Sequence, residues 1–439
     1  MSDWPATGQA DADAPRDWTA GSLYALGLLT LIYSLNYLDR FVLSLVLPQL
    51  KRDMHLSDTA LGLLAGFAFV LFYSLAGLPI ARLADRSNRR NILGLGLVVW
   101  SLMTALSGLA TNIWQLAVTR FLMGAGESCG IAPSNSMVAD LFSKAARPMA
   151  VAILVSGSSL AFVLFFPMVG WITQNWGWRA AFICSGAPGV LLALLLFLTV
   201  KEPIRSRDTM AADPHQEKFA DALRLLWRSP VFALIAAGGS FMGINLYASS
   251  TWHPMFLVRV HGFDLAQVGA TLGPLRGFAG LLGGLLGGFL ADRLGRKDER
   301  WRLWVPGLAC VLILPLELVF LLSENVTLAL VALGAAQLSA SAHLGPVYAA
   351  CMSAAKANMR TTAAAMFLLC ANLVGQIFGP LSVGYLNDIW QARIGPTAIR
   401  YSLIVGAICA ALGGIAFLFA ARFVRRTPAA PTPVSLRSL

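Results

Sequence analysis

The sequence predicts an all-α polytopic membrane protein: twelve transmembrane helices in two six-helix halves, with both termini cytoplasmic. Three observations predict it. Apolar residues make up 57% of the chain and charged residues 13%, against about 25% charged in soluble domains. The apolar residues fall into twelve runs, each long enough to cross a bilayer at ~1.5 Å per residue. Lys and Arg alternate between the connections, 19 on one side and six on the other. That is the asymmetry of a positive inner face.

The runs are 23–47, 59–83, 91–110, 112–137, 146–170, 179–200, 230–256, 266–291, 302–322, 327–352, 361–386 and 399–423. We refer to them as segments 1 to 12. The polar linker 201–228 divides them six and six, giving halves at 21–200 and 229–424 with tails at 1–20 and 425–439. Residues 219–228 have the pattern of a short amphipathic helix, and the Pro-rich C-terminal tail reads as disordered. The net charge of +11 belongs to the inner loops, so no nucleic-acid partner is expected and the lipid bilayer is. Six dispersed cysteines show no ligand spacing, and the acidic N-terminus has no signal-peptide pattern. No metal and no organic cofactor is expected.

Segment 1 holds Asn36-Tyr37-Leu38-Asp39-Arg40. Each charge at the membrane centre costs about 2.5–3.5 kcal/mol, so adjacent acid and base there need partners, water or a task. Segment 4 offers partners in Arg120 and Glu127. Asp39 and Arg120 each lie eight residues, ~12 Å, from the outer end of their segments. Glu127 is seven residues further on, ~10 Å deeper on the face of Arg120. The expected arrangement pairs Asp39 with Arg120 and leaves Glu127 the freer acid. Proton coupling would then rest on Asp39, Glu127 and Arg120. The competing reading is a buried charge network that only fixes helix packing.

Segment 8 adds Arg276 near the midplane. With Arg40 and Arg120 it makes three cations against two acids, which favours an anionic substrate; snorkelling or pairing with helix ends is the alternative. Asn245 and Tyr247 on segment 7, and Asn372 and Gln376 on segment 11, either line a cavity or join helices by hydrogen bonds. The candidate binding set is therefore Asn36, Tyr37, Arg40, Arg120, Glu127, Arg276, Asn245, Tyr247, Asn372 and Gln376. Glu317 is expected at the outer interface, and His343 as a hydrogen-bonded structural residue. Small residues of segments 5 and 8, Ser156 to Ser159 and Gly280 to Gly288, read as packing seams.

An internal repeat marks the halves. Ala81-x-x-x-Asp85-Arg86-x-Asn88-Arg89-Arg90 follows segment 2, and Gly288-x-x-x-Asp292-Arg293-x-Gly295-Arg296-Lys297 follows segment 8. With twelve segments divided six and six, this duplicated loop resembles the major facilitator superfamily over about residues 20–425. The resemblance implies a cytoplasmic latch built from Asp85, Arg86, Arg89, Arg90, Asp292 and Arg293. Ala81 and Asn88 stand where the pattern has glycine.

Asn36-Tyr-x-Asp39-Arg40 with Val46-Leu47-Pro48, and Arg120-x-x-x-Gly124-x-Gly126-Glu127 with Pro133, are similar to Spinster-type transporters. That resemblance implies proton-coupled secondary transport by alternating access. It implies an amphipathic lipid-derived anion, a lysophospholipid or sphingoid phosphate, and places the functional tetrad on Asp39, Arg40, Arg120 and Glu127. Protons would be the only coupling species, and the unit a monomer in a bacterial inner membrane. The first motif also occurs in organic-anion symporters, so a sugar-acid symporter stays open, as does a non-transporting receptor. Symport and antiport both remain open. No nucleophile triad, HExxH or phosphate loop supports an enzyme or a primary pump.

Overall fold

The computed structural model describes residues 17–203, 226–355 and 359–424. Most of the N-terminal tail, most of the 219–228 amphipathic stretch and the C-terminal tail lie outside the described residues, as do the side chains of Asp85 and Arg86. Among the described residues the chain is helical, with no strand.

Helix α1 spans Ala20–Met54; Thr19 caps it by accepting from the Ser22 amide at 3.2 Å, and His55 ends it with φ 51°. Helices α2 (Asp58–Ala65) and α3 (Phe67–Arg86) form one crossing interrupted at Gly66. Helix α4 (Arg89–Ser107) starts at the Asn88 cap. Helices α5 (Ile113–Glu127) and α6 (Ile131–Leu141) make the fourth crossing, which breaks at residues 128–130 where the sequence reads as continuous. Helix α7 (Arg147–Leu160) passes through a π-turn at Ala161–Phe165 into α8 (Phe166–Thr199). Pro167 explains the π-turn, since it has no N–H to continue the α-pattern. Gly177, at φ 83°, makes the turn between the fifth and sixth crossings within α8. A side chain would strain that backbone.

The second half follows with α9 (Pro230–His261), α10 (Leu265–Gly295), α11 (Trp301–Leu322), α12 (Val326–Ser341), α13 (Leu344–Ala354), α14 (Arg360–Ile394) and α15 (Ala398–Ala420). Nine runs among the described residues are long and apolar enough to span a bilayer. Two of them, of 53 and 62 residues, each suffice for two crossings. With the broken α5–α6 crossing, helices cover all twelve predicted segments.

Contacts divide the chain into two compact units, 1–214 with 250–278, and 215–249 with 279–439. The first unit thus takes in the outer ends of α9 and α10, which the linker-based division places in the second half. Within that unit a glycine seam carries the contact: Gly269 and Gly170 approach backbone to backbone, and Gly273 lies against Phe162 and Pro167. Of the small residues expected to pack on segments 5 and 8, Gly157 lies against the Thr30 carbonyl in this unit, and Gly283 and Gly287 against the Leu338 and Ala342 carbonyls in the other. In the second unit Phe232, Leu303, Cys310, Phe367 and Phe417 form the core.

The first unit is also clamped by charge. Asp58, whose side chain is fully buried, accepts from Lys51 at 2.7 Å and from both terminal nitrogens of Arg259 at 2.7 and 2.8 Å. Nearby, Trp178 donates its indole N–H to Asp53 at 2.7 Å. Removing one partner of a buried ion pair costs about 3–5 kcal/mol. Asp58→Ala is therefore expected to lower the thermal stability of the purified protein more than Lys51→Ala, because Lys51 is a quarter exposed. Unfolding curves for the two variants in one detergent check the order.

At the inner end Asp17 accepts from the Ser143 amide and hydroxyl at 2.7 and 2.5 Å, and Trp18 packs against Phe142. Those hydrogen bonds hold the Asp17 carboxyl below the usual carboxylate range.

Candidate functional site

The tetrad predicted from segments 1 and 4 assembles inside the first unit, on α1 and α5. Gly124 and Gly126 let α5 pack closely on α3 and α4: a Cβ at Gly124 would meet the Phe69 carbonyl at 2.5 Å, and one at Gly126 the Trp100 amide at 2.8 Å. Three of the tetrad's four members are buried. Asp39, Arg120 and Glu127 are 1%, 2% and 0% exposed.

The pairing differs from the expected one. Arg40, not Arg120, holds an acid: its Nε donates to Glu127 Oε2 at 2.7 Å, and its Nη2 to Asn36 Oδ1 at 3.1 Å. The guanidinium also lies 4.6 Å from the Tyr73 ring, 5.4 Å from Phe69 and 5.7 Å from Tyr37. Arg120 donates to the main-chain carbonyl of Asp39 at 3.1 Å and rests over Phe182. Neither Asp39 carboxylate oxygen has a hydrogen-bond partner among the described residues. Glu127 is thus the held acid and Asp39 the one without a donor.

Side-chain direction explains the difference. Helical side chains lean toward the helix N-terminus. On inner-to-outer α1 this carries Arg40 inward, back over Asn36 and down to Glu127. On outer-to-inner α5 it carries Arg120 outward, away from Glu127. Cα depth alone misses both displacements.

The other candidates fall elsewhere. In the second unit Tyr247 donates to Asn372 Oδ1 at 2.8 Å, and Gln376 donates to the Tyr247 hydroxyl at 3.2 Å. This clasp joins α9 to α14 beside the backbone contact of Gly243 with Gly375. It is the helix-joining reading of these residues. Asn245 is buried on α9 in that unit, and Arg276 is buried on α10 in the first unit. His343 bonds the Ala340 carbonyl through Nδ1, as a structural histidine would. Glu317, near the outer end of α11, is packed inside the protein at 3% exposure.

On the inner side Arg89 is the hub. It donates to Asp140, to Glu202 at 2.8 Å, to the Ser136 hydroxyl at 2.9 Å and to the Pro203 carbonyl at 2.9 Å. Glu202 also accepts the Arg90 amide at 2.8 Å, placing a carboxylate at the N-terminus of α4. Arg90 donates to the Val200 carbonyl at 3.1 Å. Sequence reading named Arg89 and Arg90 but missed Asp140, Ser136 and Glu202. For Asp140 and Glu202 the signal was an acid at the inner end of segments 4 and 6. In the second copy of the loop, Asp292 and Arg293 are exposed.

A chain of membrane-length helices with a charged cluster sealed on two of them has the character of a membrane transporter. The Major Facilitator Superfamily model matches residues 29–380, and the chain belongs to that family. Within it the chain is Spinster-like. It is 27% identical to human protein spinster homolog 1 over 443 residues, covering 92% of this chain and 81% of that protein. It resembles the crystal structure of a bacterial homolog of the human lysosomal transporter Spinster, described as inward-facing and unoccupied. That likeness has a TM-score of 0.80 at 27% identity, covering 92% of this chain and 98% of the other. An MFS-type efflux pump of Mycolicibacterium smegmatis is 34% identical over 412 residues, 92% of this chain and 94% of the relative. A probable galactarate/D-glucarate transporter of Bacillus subtilis is 30% identical over 300 residues, 62% of this chain and 65% of the relative. The protein is therefore a multi-pass membrane transporter.

Proposed function

We propose that the protein couples protons to the movement of an amphipathic, lipid-derived anion. One observation carries the reading: of the four tetrad residues, Arg40 alone is not buried, and it is the cation that holds Glu127. A substrate anion that engages the guanidinium competes with Glu127 for it. A fully buried carboxylate deprived of its cation is costly unless it takes a proton. Anion binding and proton uptake then favour each other, and linkage makes the coupling reciprocal. This favours symport over antiport. Asp39, with Arg120 turned to its main chain, is the second proton candidate. The cell-membrane setting and monomeric unit belong to the same proposal, as does the inner latch around Arg89.

The test is flux in proteoliposomes. Under an imposed pH gradient, a fluorescent lysophospholipid with an anionic headgroup is expected to move with protons and to stop moving when a protonophore is added. The glucarate transporter among the relatives favours a second reading, a sugar-acid symporter. Proton movement driven by glucarate and not by lysophospholipid would replace the first reading with the second. Lysophospholipid movement indifferent to the protonophore would remove the proton coupling.

A further inference from the structure

Helix α1 is sealed over most of its length. From residue 32 to 50 every side chain is buried except Tyr37, Arg40, Phe41 and Gln49. Gln49 lies two turns beyond the rest and donates to the Thr173 carbonyl at 2.8 Å. Tyr37, Arg40 and Phe41 are spaced i, i+3 and i+4, so they share one face of the helix. A guanidinium facing hydrocarbon would be expensive, so this window opens toward water. It is a cation flanked by two rings.

The rings continue past the window. Tyr37 and Phe41 have centroids 6.5 Å apart, and Phe41 meets Phe162 at 5.2 Å. Phe162 then meets Phe166 at 5.7 Å. Phe162 lies inside the π-turn that Pro167 enforces, and such turns recur at functional sites. Tyr37, Phe41 and Phe162 are all half-buried, whereas Phe166 is closed off. Half-buried rings beside one accessible cation leave an apolar shelf leading away from it.

We propose that Tyr37, Phe41 and Phe162 form a specificity shelf that takes the apolar part of the substrate, while Arg40 takes its anionic group. The inference rests on the anion-transport reading above and narrows the substrate to anions that carry an alkyl or aryl group. A hydroxyl-rich acid gains nothing from such a shelf, because its polar groups would lose water without finding partners there. Tyr73 and Phe69 play a different part: they stack on Arg40 and orient it.

The test uses three probes of one charge type: inorganic phosphate, phenyl phosphate and octyl phosphate. Binding is measured by calorimetry on the protein in nanodiscs, with empty nanodiscs subtracted. Wild type is expected to bind the phenyl and octyl esters roughly tenfold or more tightly than inorganic phosphate, the worth of burying one such group. Phe41→Ala and Phe162→Ala are expected to erase most of that gain and leave inorganic phosphate binding unchanged. Phe41→Leu guards against misfolding; it keeps an apolar side chain and should retain the octyl gain while losing much of the phenyl gain. Wild-type preference for the esters that survives in both alanine variants would overturn the shelf and leave the anion reading standing. An equal loss for all three probes would reduce the rings to supports for Arg40 and also overturn it. Wild type that binds glucarate in preference to every phosphate ester would overturn the lipid-anion reading and the shelf together.

Discussion

Glu127→Gln is expected to abolish gradient-driven accumulation while leaving exchange of substrate between the two faces intact. The introduced amide would keep the shape of the side chain and an oxygen for Arg40 to donate to, so the cluster should still assemble. What disappears is the charge that alternates with the substrate for the guanidinium. Uphill accumulation should fall to background, on the order of 100-fold or more. That is the scale expected when an interaction worth about 3 kcal/mol to one state alone is removed. Substrate affinity should also become insensitive to pH. The measurement pairs two assays on the same proteoliposomes: accumulation under a pH gradient, and counterflow without one. Loss of both would mark Glu127 as a structural residue. Survival of both would remove it from proton coupling and leave Asp39 as the acid to examine.

How much of this site was readable from the chain depends on the kind of information involved. The tetrad was legible because intramembrane charges are costly, so Asp39, Arg40, Arg120 and Glu127 stand out against apolar neighbours. Their pairing was not legible. Residue counts give Cα depth, and the lean of long side chains along opposed helices moved Arg40 and Arg120 in opposite directions. Phe41 and Phe162 were invisible for the reverse reason: aromatic residues in apolar segments are ordinary until burial of everything around them singles them out. Asp58 escaped notice because it sits at the end of an apolar run. Its partners Lys51 and Arg259 had been counted only as loop charges. Tyr247, Asn372 and Gln376 stand out in the sequence as polar residues inside apolar helices. Only geometry could show that they satisfy one another.

The fold was more legible than its partition. Twelve apolar runs became helices at nearly the predicted places, because run length and bilayer thickness set the crossing. The linker 201–228 marks where the sequence repeat starts again, but contact packing follows the glycines. Gly170, Gly269 and Gly273 let the outer end of α10 approach the first unit backbone to backbone. A repeat boundary records how the chain is duplicated; a packing boundary records where side chains are small enough to permit contact.

Arg40→Ala should be the most damaging single change in the cluster, and for two separable reasons. The first is stability. Glu127 is 0% exposed and Arg40 donates to it at 2.7 Å; stripping a buried pair of one partner costs about 3–5 kcal/mol. The second is binding. A charge-assisted hydrogen bond to a substrate anion is worth about 1.5–3 kcal/mol, or roughly 10- to 100-fold in affinity. The double variant Arg40→Ala/Glu127→Gln separates them. It no longer buries a lone carboxylate, so its thermal stability should recover most of the loss, while anion binding stays as weak as in the single variant. Arg40→Lys should fall between, since an ammonium keeps the charge but cannot span Glu127 and Asn36 with one planar fork. Thermal denaturation and anion titration on wild type, Arg40→Ala, Glu127→Gln and the double variant close the cycle. Recovery of both properties in the double variant would mean that Arg40 serves only to neutralise Glu127. The substrate would then have to find its cation elsewhere, with buried Arg276 the next to test.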